Sequence, residues 1–397
     1  MIRYANWADT SGKSPNLSSY NFGMKVALFS NTAEPKDGYG NITVELSRAL
    51  SKAGIDCSLF LPRSQKAAAD AAALSFPTSC TLPEYVYRIF QRSGPGYFRA
   101  QDVKGFDLVH DLFAFPYCIT AAMSSRKHGV PFVTGAQGTH GVRPLAWWPE
   151  RWLLKYCYGH AKGIAVPSEF TKQKIHELSG NNYPITVIHN GVHFERFQKS
   201  VDSDAIRKKH AGKKILLTVG GLWGRKGHDL VLKALPTILK KHPDTVYMIV
   251  GDGDLRGELE KLANDLNIRS AVDFAGRKSG DDLVACFQAC DVYVHTPRVT
   301  GLKFEGFGIV YLEASACGKP LVATDAGGIR DAVLDGETGL IAPDGDVDGI
   351  AERVIKLLDD QNLSKKLGDR GREYAKEHDW SKIAEKYVNW YKNSLTK

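Results

Sequence analysis

From Met24 onward, short apolar runs rich in β-branched residues alternate with helical patterns, and that alternation restricts the folds open to the chain. The runs include "KVALFS", "CSLFLP" (57–62), "FDLVHD" (106–111), "PFVTGAQ" (131–137), "GIAVPS" (163–168) and "PITVIHNG" (184–191). Helical patterns fall between them, for instance at 41–53 and 169–178. After a charged stretch at 198–214 the series restarts with "KILLTVGG" (214–221), "TVYMIVGDG" (245–253), "AVDFAG" (271–276), "VYVHTP" (292–297) and "PLVATD" (320–325). Continuous apolar runs separated by helices predict parallel strands covered on both faces. Two series predict an α/β chain of two doubly wound, Rossmann-like domains with a seam near 192–212.

The length of 397 residues suits two such domains. Residues 1–23 are polar and aperiodic, and read as an N-terminal extension, either disordered or the product of a start codon set too early. The expected division is 24–197 and 198–379, with the amphipathic "WSKIAEKYVNWYKNSL" (380–395) closing the chain. The net charge of +8 comes from scattered basic pairs, which read first as a solvated surface and would also suit an acidic ligand or an anionic membrane surface; no nucleic-acid partner is expected. The seven cysteines are dispersed and read as small buried residues in a reducing cytosol. No apolar run reaches the 18 or so residues of a membrane span, so any membrane contact is expected to be peripheral.

Ligands of open parallel sheets sit where strands end and helices begin. Four such loops carry candidate chemistry. In "DGYGNITVELSRALSKAG" (37–54), Gly38 and Gly40 permit close backbone approach before a helix. In "TVGGLWGRKGHDLVLKAL" (218–235), Arg225 and Lys226 precede a helix N-terminus, an arrangement that would neutralise a diphosphate. In "KFEGFGIVYLEASACGK" (303–319), a helix over 308–317 would aim its free amides at an anion. Glu305, just before that helix, could accept from sugar hydroxyls, while Glu313, inside it, could hold a vicinal diol. In "ATDAGGIRDAV" (323–333), Gly327 and Gly328 form another tight turn with amides for an anion. Taken alone, each glycine turn is equally well explained as structure, and Glu313 as a helix acid paired with a lysine.

The stretch "EGFGIVYLEASACGKPLVATDAGGIRDAVLDGETGLIAPDGD" (305–346) resembles the donor-site signature of retaining glycosyltransferases of the GT-B fold, glycosyltransferase family 4. Its opening particularly resembles members that transfer mannose or related sugars to lipid acceptors. The likeness extends over nearly all of 24–397, including "VIHNGVHFERF" (187–197) and "VGDGDLRGELEKLA" (250–263). It implies a nucleotide-diphosphate sugar donor of UDP or GDP type, no cofactor and no metal, with "GDGD" (251–254) a turn. It also implies an acceptor-binding N-terminal domain, a donor-binding C-terminal domain, and a final helix that crosses back to the first.

By position, the resemblance gives Glu313 to the ribose and Glu305 to the hydroxyls of the transferred sugar. The backbone of Gly306, Phe307 and Gly308 would line the sugar and diphosphate, Lys226 would bind phosphate, and Arg277 would flank the base. Two positions depart from the family pattern. Gly221 stands where an arginine is common, with Arg225 a substitute one turn on. Gln137 stands where the family has a histidine, with His140 three residues away. The implied reaction retains anomeric configuration: the acceptor hydroxyl attacks the face the diphosphate leaves, and the leaving phosphate takes its proton.

The acceptor is expected to be a glycan or lipid-linked hydroxyl in cell-surface polysaccharide or glycolipid synthesis. The stretch "RPLAWWPERWLLKYCYGHAKG" (143–163) interleaves aromatic and basic residues and reads either as a helix packing its aromatics into the domain core or as a surface that could rest at a lipid interface; the protein is expected in the cytoplasm, in the second case at the inner membrane face. A catalytically silent sugar- or partner-binding protein is the alternative, suggested by Gly221 and Gln137. A nicotinamide dehydrogenase lacks its glycine fingerprint with a spaced acid in the first loop.

Overall fold

The structure is a computed structural model that describes residues 23–34, 38–84 and 98–396. Nearly all of the expected N-terminal extension, 1–22, lies outside the described residues.

The first series of runs forms one parallel sheet: β1 (Lys25–Phe29), β2 (Asp56–Pro62), β3 (Thr78–Leu82), β4 (Leu108–Asp111), β5 (Phe132–Gly135), β6 (Ile164–Val166) and β7 (Ile185–Val187). Its spatial order is β3-β2-β1-β4-β5-β6-β7. The second series forms β8 (Lys214–Val219), β9 (Thr245–Val250), β10 (Val272–Gly276), β11 (Val292–His295), β12 (Leu321–Thr324) and β13 (Gly339–Ala342), ordered β10-β9-β8-β11-β12-β13. All strand pairings within both sheets are parallel. In each sheet the order reverses beside the first strand, so β1/β4 and β8/β11 flank the crevices in which ligands of doubly wound folds bind. The continuous apolar reading is physically apt: every residue of "TVYMIV" in β9 is buried, as a central strand covered by helices on both faces requires.

Two edge strands lie outside the expected runs. β3, "TSCTL", is half exposed and polar, and β13, "GLIA", opens on a glycine. The helix Gly38–Lys52 also begins earlier than expected: Gly38 and Gly40 form its first turn rather than a loop before it. Gly40 is needed there because a Cβ would lie 2.1 Å from the Glu34 carbonyl oxygen. All seven cysteines are unpaired thiols, but Cys80 and Cys317 are only partly buried.

The helix Trp380–Leu395 packs on Gly38–Lys52, and its Trp380, Ile383, Tyr387 and Tyr391 join the core around β1 and β2. Tyr391 hydrogen-bonds the buried His110 ring at 2.7 Å. The helix can approach because Gly191 carries no side chain: a Cβ there would lie 2.6 Å from the Trp380 indole. The last helix therefore belongs to the core of the first sheet although it follows the second in sequence.

Candidate functional site

The loop between β11 and the helix Ile309–Ala316 bridges the two sheets. Phe304 leaves its own unit and inserts into the core beneath β4–β6, with its ring 4.9 Å from that of Phe170. Two residues later Gly306 meets Gly138, which follows β5; a Cβ on either glycine would lie 3.0–3.1 Å from the other's Cα. Phe307 turns the opposite way and is buried in the core around β8 and β11, its ring 5.3 Å from His189. Glu305 is thus held between two buried aromatic anchors that point into different cores.

The Glu305 carboxylate accepts hydrogen bonds from Lys226 Nζ at 2.5 Å and Arg225 Nη1 at 2.9 Å, both on Oε2. Its Oε1 has no partner among the described residues. Burial alone would raise the Glu305 pKa, but the Lys226 and Arg225 charges outweigh it and hold the group down at about 2. The cations are delivered by a tight turn, Gly224–Lys226, ending in Gly227 at φ +72°. Only glycine fits at 227, where a Cβ would fall 1.7 Å from the Thr296 carbonyl oxygen. Arg298 closes the turn through its amide to the Arg225 carbonyl and its guanidinium to both oxygens of Asp229 at 2.8–2.9 Å.

After Glu305, the backbone amides of Gly306 through Val310 find no acceptor among the described residues; the first inward amide bond is Tyr311 to the Gly308 carbonyl at 3.0 Å. Gly308 caps the helix at φ +91°, a backbone suited to glycine. The carboxyl group of Glu313, one turn into this helix, makes no hydrogen bond or ion pair among the described residues, so no lysine neutralises it. Burial lifts its pKa to about 7, with Arg196 pulling weakly the other way. The loop and the helix that follows it thus carry two acids in opposite electrostatic states, separated by a run of free amides.

In the Gly327–Gly328 turn the Gly328 amide is engaged within the chain, while the Gly327 amide has no acceptor among the described residues. Gly328 donates to the Glu305 carbonyl at 2.8 Å, and a Cβ on it would lie 2.1 Å from the Gly306 carbonyl oxygen. Its role is to brace the Glu305–Gly306 backbone from behind. Gly38 and Gly40 likewise sit inside a helix, where Tyr39 places its ring edge-on to His140 at 4.7 Å. Arg277 stands exposed after β10, and no contact among the described residues joins it to the Glu305 group. Gln137 is buried and accepts the Asn190 amide at 3.1 Å on Oε1. At Gly221, a Cβ would collide with the Trp223 indole nitrogen at 2.2 Å, so the indole occupies the space above that residue.

Three participants were not apparent from the sequence. Asn190 fixes Gln137. His189 touches both Asp331 and His378. His295, at the end of β11, is fully buried with neither ring nitrogen partnered. A lone histidine ending an otherwise apolar strand, "VYVH", was the only available signal for the last. "GDGD" lies in the loop after β9, and among the described residues no group of three or more His, Cys, Asp or Glu is placed to hold a metal ion.

Residues 36–196 match the family model described as Glycosyltransferase Family 4, and residues 202–374 match that of Glycosyl transferases group 1. An uncharacterised glycosyltransferase of Methanocaldococcus jannaschii is 29% identical over 70% of this chain and 73% of its own length. A GDP-mannose-dependent alpha-(1-6)-phosphatidylinositol monomannoside mannosyltransferase of Mycolicibacterium smegmatis is 34% identical, the match spanning 57% of this chain and 60% of that protein. The structure of a glycosyltransferase from Rickettsia africae superposes with a TM-score of 0.77 at 18% identity, over 94% of this chain and 99% of that one. Anabaena HepE in complex with UDP-glucose superposes with a TM-score of 0.74 at 18% identity, over 93% of this chain and all (100%) of that one. At that identity the superpositions establish the fold. The chain belongs to the glycosyltransferases of family 4 and has their GT-B fold.

Proposed function

We propose that the protein transfers a hexose from a nucleotide-diphosphate sugar to a hydroxyl of a glycan or lipid-linked acceptor, with retention of configuration. The observation that carries this reading is the Glu305 carboxylate, ionised by Lys226 and Arg225 at 2.5 and 2.9 Å and followed by the free amides of Gly306–Val310. When the donor enters, its diphosphate takes over the two cations and the amides. Glu305, with Oε1 already open, turns to the hydroxyls of the transferred sugar. Glu313, unpaired, accepts from the ribose diol.

Lys226 and Arg225 then stabilise the charge that develops on the departing diphosphate, the step at which preorganised donors contribute most. The leaving phosphate removes the proton from the attacking acceptor hydroxyl, so this scheme uses no protein base and no metal. The unit carrying residues 24–197 supplies the acceptor face, with Gln137 and His140, and the unit 198–379 supplies the donor face. The mannosyltransferase relatives favour a GDP donor and the UDP-bound HepE a UDP donor, so both are to be offered.

A membrane contact belongs to the same proposal. Trp147, Trp148 and Trp152 are 57%, 80% and 67% exposed, whereas Leu154, Cys157 and Tyr158 of the same stretch are buried. Aromatic rings outside the core beside Arg151 and Lys155 suit the headgroup region of an anionic bilayer. No helix among the described residues is long and apolar enough to cross a membrane. The proposal puts the enzyme at the inner face of the cytoplasmic membrane, where a lipid-linked acceptor is in reach.

The alternative, a sugar-binding protein without turnover, is favoured by Gly221, whose place beside the cations is filled by Trp223. The test is incubation with GDP-mannose and UDP-glucose plus a lipid extract, followed by proton NMR of the product. An α-linked product from an α-linked donor supports retention. Donor binding without product supports the alternative, and a β-linked product overturns the mechanism.

A further inference from the structure

Behind the Glu305–Gly308 loop, three groups from three parts of the chain form one hydrogen-bonded line. His378 Nδ1 lies 2.8 Å from the Tyr374 carbonyl oxygen, His378 Nε2 lies 3.0 Å from His189 Nδ1, and His189 Nε2 lies 3.2 Å from Asp331 Oδ1. Both ends of the line are acceptors only, a carbonyl and a carboxylate. Three hydrogen bonds across two imidazoles therefore need three ring protons. Two neutral imidazoles carry only two. The line is complete only when the pair bears one extra proton and a single positive charge, matched by Asp331.

The surroundings decide which ring holds it. Burial drives the His378 pKa down to about 4, with His189 and Lys386 acting in the same direction and the Tyr374 carbonyl opposing. The charge therefore sits on His189, next to the carboxylate and 5.3 Å from the Phe307 ring, whose face is a favourable seat for a cation. The facing groups are Asp331 from the Gly328–Asp331 turn, His378 and Tyr374 from the end of Gln361–Glu377, and Lys386 from the last helix. Asp331 Oδ1 also accepts the Glu169 amide at 3.3 Å, and the Asp331 carbonyl accepts Tyr374 Oη at 2.8 Å.

We infer that His189 is a positioning residue: protonated and shared between Asp331 and His378, it ties the first sheet's unit to the Gly328–Asp331 turn and so holds the Glu305–Gly308 loop in place. The mechanical path is short. The Gly328 amide grips the Glu305 carbonyl at 2.8 Å, and the same turn ends on Asp331. Loss of the extra proton removes one bond of the line and the charge attraction across the seam together.

The test uses ring nitrogen NMR of the full chain with no donor or acceptor present, so its failure leaves the transferase reading intact. At pH 7, His189 is expected to show both ring nitrogens protonated and His378 the Nδ1–H tautomer. In Asp331→Asn the charge that matches the extra proton is gone while an acceptor oxygen remains. Exchange of the Gly328 amide should quicken at least about tenfold (about 1.4 kcal/mol), while Asp325→Asn, which removes only the exposed pair with Arg330, should leave it unchanged. If Asp331→Asn does not fold, His189→Gln supplies the same exchange reading. Two neutral rings at pH 7, or an unchanged Gly328 amide in either seam variant, would overturn the inference.

Discussion

The ring of Phe304 lies 4.9 Å from that of Phe170, although the two residues belong to the units of different sheets and Phe304 sits next to the acid at the centre of the candidate site. One buried aromatic thus serves both cohesion between the units and the placement of Glu305. Phe304→Ala is expected to cost about 3–5 kcal/mol, the range for emptying a buried aromatic site. Phe304→Leu, which keeps most of the volume, should cost clearly less. Urea unfolding of both variants checks this, and equal losses would contradict it.

Glu305 ties acid stability to the site. Its pKa is depressed from 4.5 to about 2 in the folded chain. The ion pairs therefore stabilise the fold fully above the unfolded value near 4.5, and the contribution disappears as pH falls from there through 2. Its size is on the order of 3 kcal/mol, from the shift converted at about 1.4 kcal/mol per pH unit. Glu305→Gln should flatten the acid limb of a stability–pH curve below about pH 4.5. It should also reduce kcat by about 100-fold or more, because the hydroxyl contact and the arrangement of Lys226 and Arg225 are lost together.

Glu313 has the opposite sign. Its folded-state pKa is raised to about 7 by burial. Below about pH 4.5 both states hold the proton and nothing is lost; between 4.5 and 7 the unfolded chain ionises first, so stability falls as pH rises. Glu313→Gln should consequently stabilise the protein at pH 8 and be nearly neutral at pH 4. Donor affinity should fall in the same variant, since a carboxylate bond to a diol is worth about 1.5–3 kcal/mol. Thermal unfolding at the two pH values measures the first effect and calorimetric titration the second. Unchanged stability at pH 8 would remove the burial argument.

The exposed tryptophans predict an electrostatic and apolar membrane contact. Sedimentation with vesicles containing anionic lipid should carry the protein down at low salt and less at high salt. Replacing Trp147, Trp148 and Trp152 together by serine should abolish sedimentation while leaving the unfolding temperature unchanged, because none of the three is buried. Wild type that stays in the supernatant at low salt would refute the contact.

Much of the fold was legible because central strands of a doubly wound sheet are apolar on both faces, and "KVALF" or "TVYMIV" announces that directly. β3 escaped because an edge strand needs no second apolar face, and Thr78 and Thr81 are exposed. The two glutamates and two cations were readable from their loops. Their pairing was not, because Lys226 and Glu305 lie 79 residues apart and meet only when β8 and β11 become neighbours. Glycines were the least transparent. Gly40, Gly306 and Gly328 look alike as turn formers, yet Gly40 and Gly328 are required by a backbone passing where a Cβ would stand, and Gly306 lies in tight contact with Gly138. His189 and His378, separated by 189 residues, gave no local signal at all.

The central claim is that Lys226, Arg225 and the amides after Glu305 bind a nucleoside diphosphate. Calorimetric titration of the wild type with GDP and with UDP, repeated with Lys226→Ala, tests it most directly. The account predicts that one of the two binds the wild type and that its affinity falls at least about tenfold, or 1.4 kcal/mol, in the variant. Absence of binding by both nucleotides, or equal affinity in wild type and variant, would contradict it.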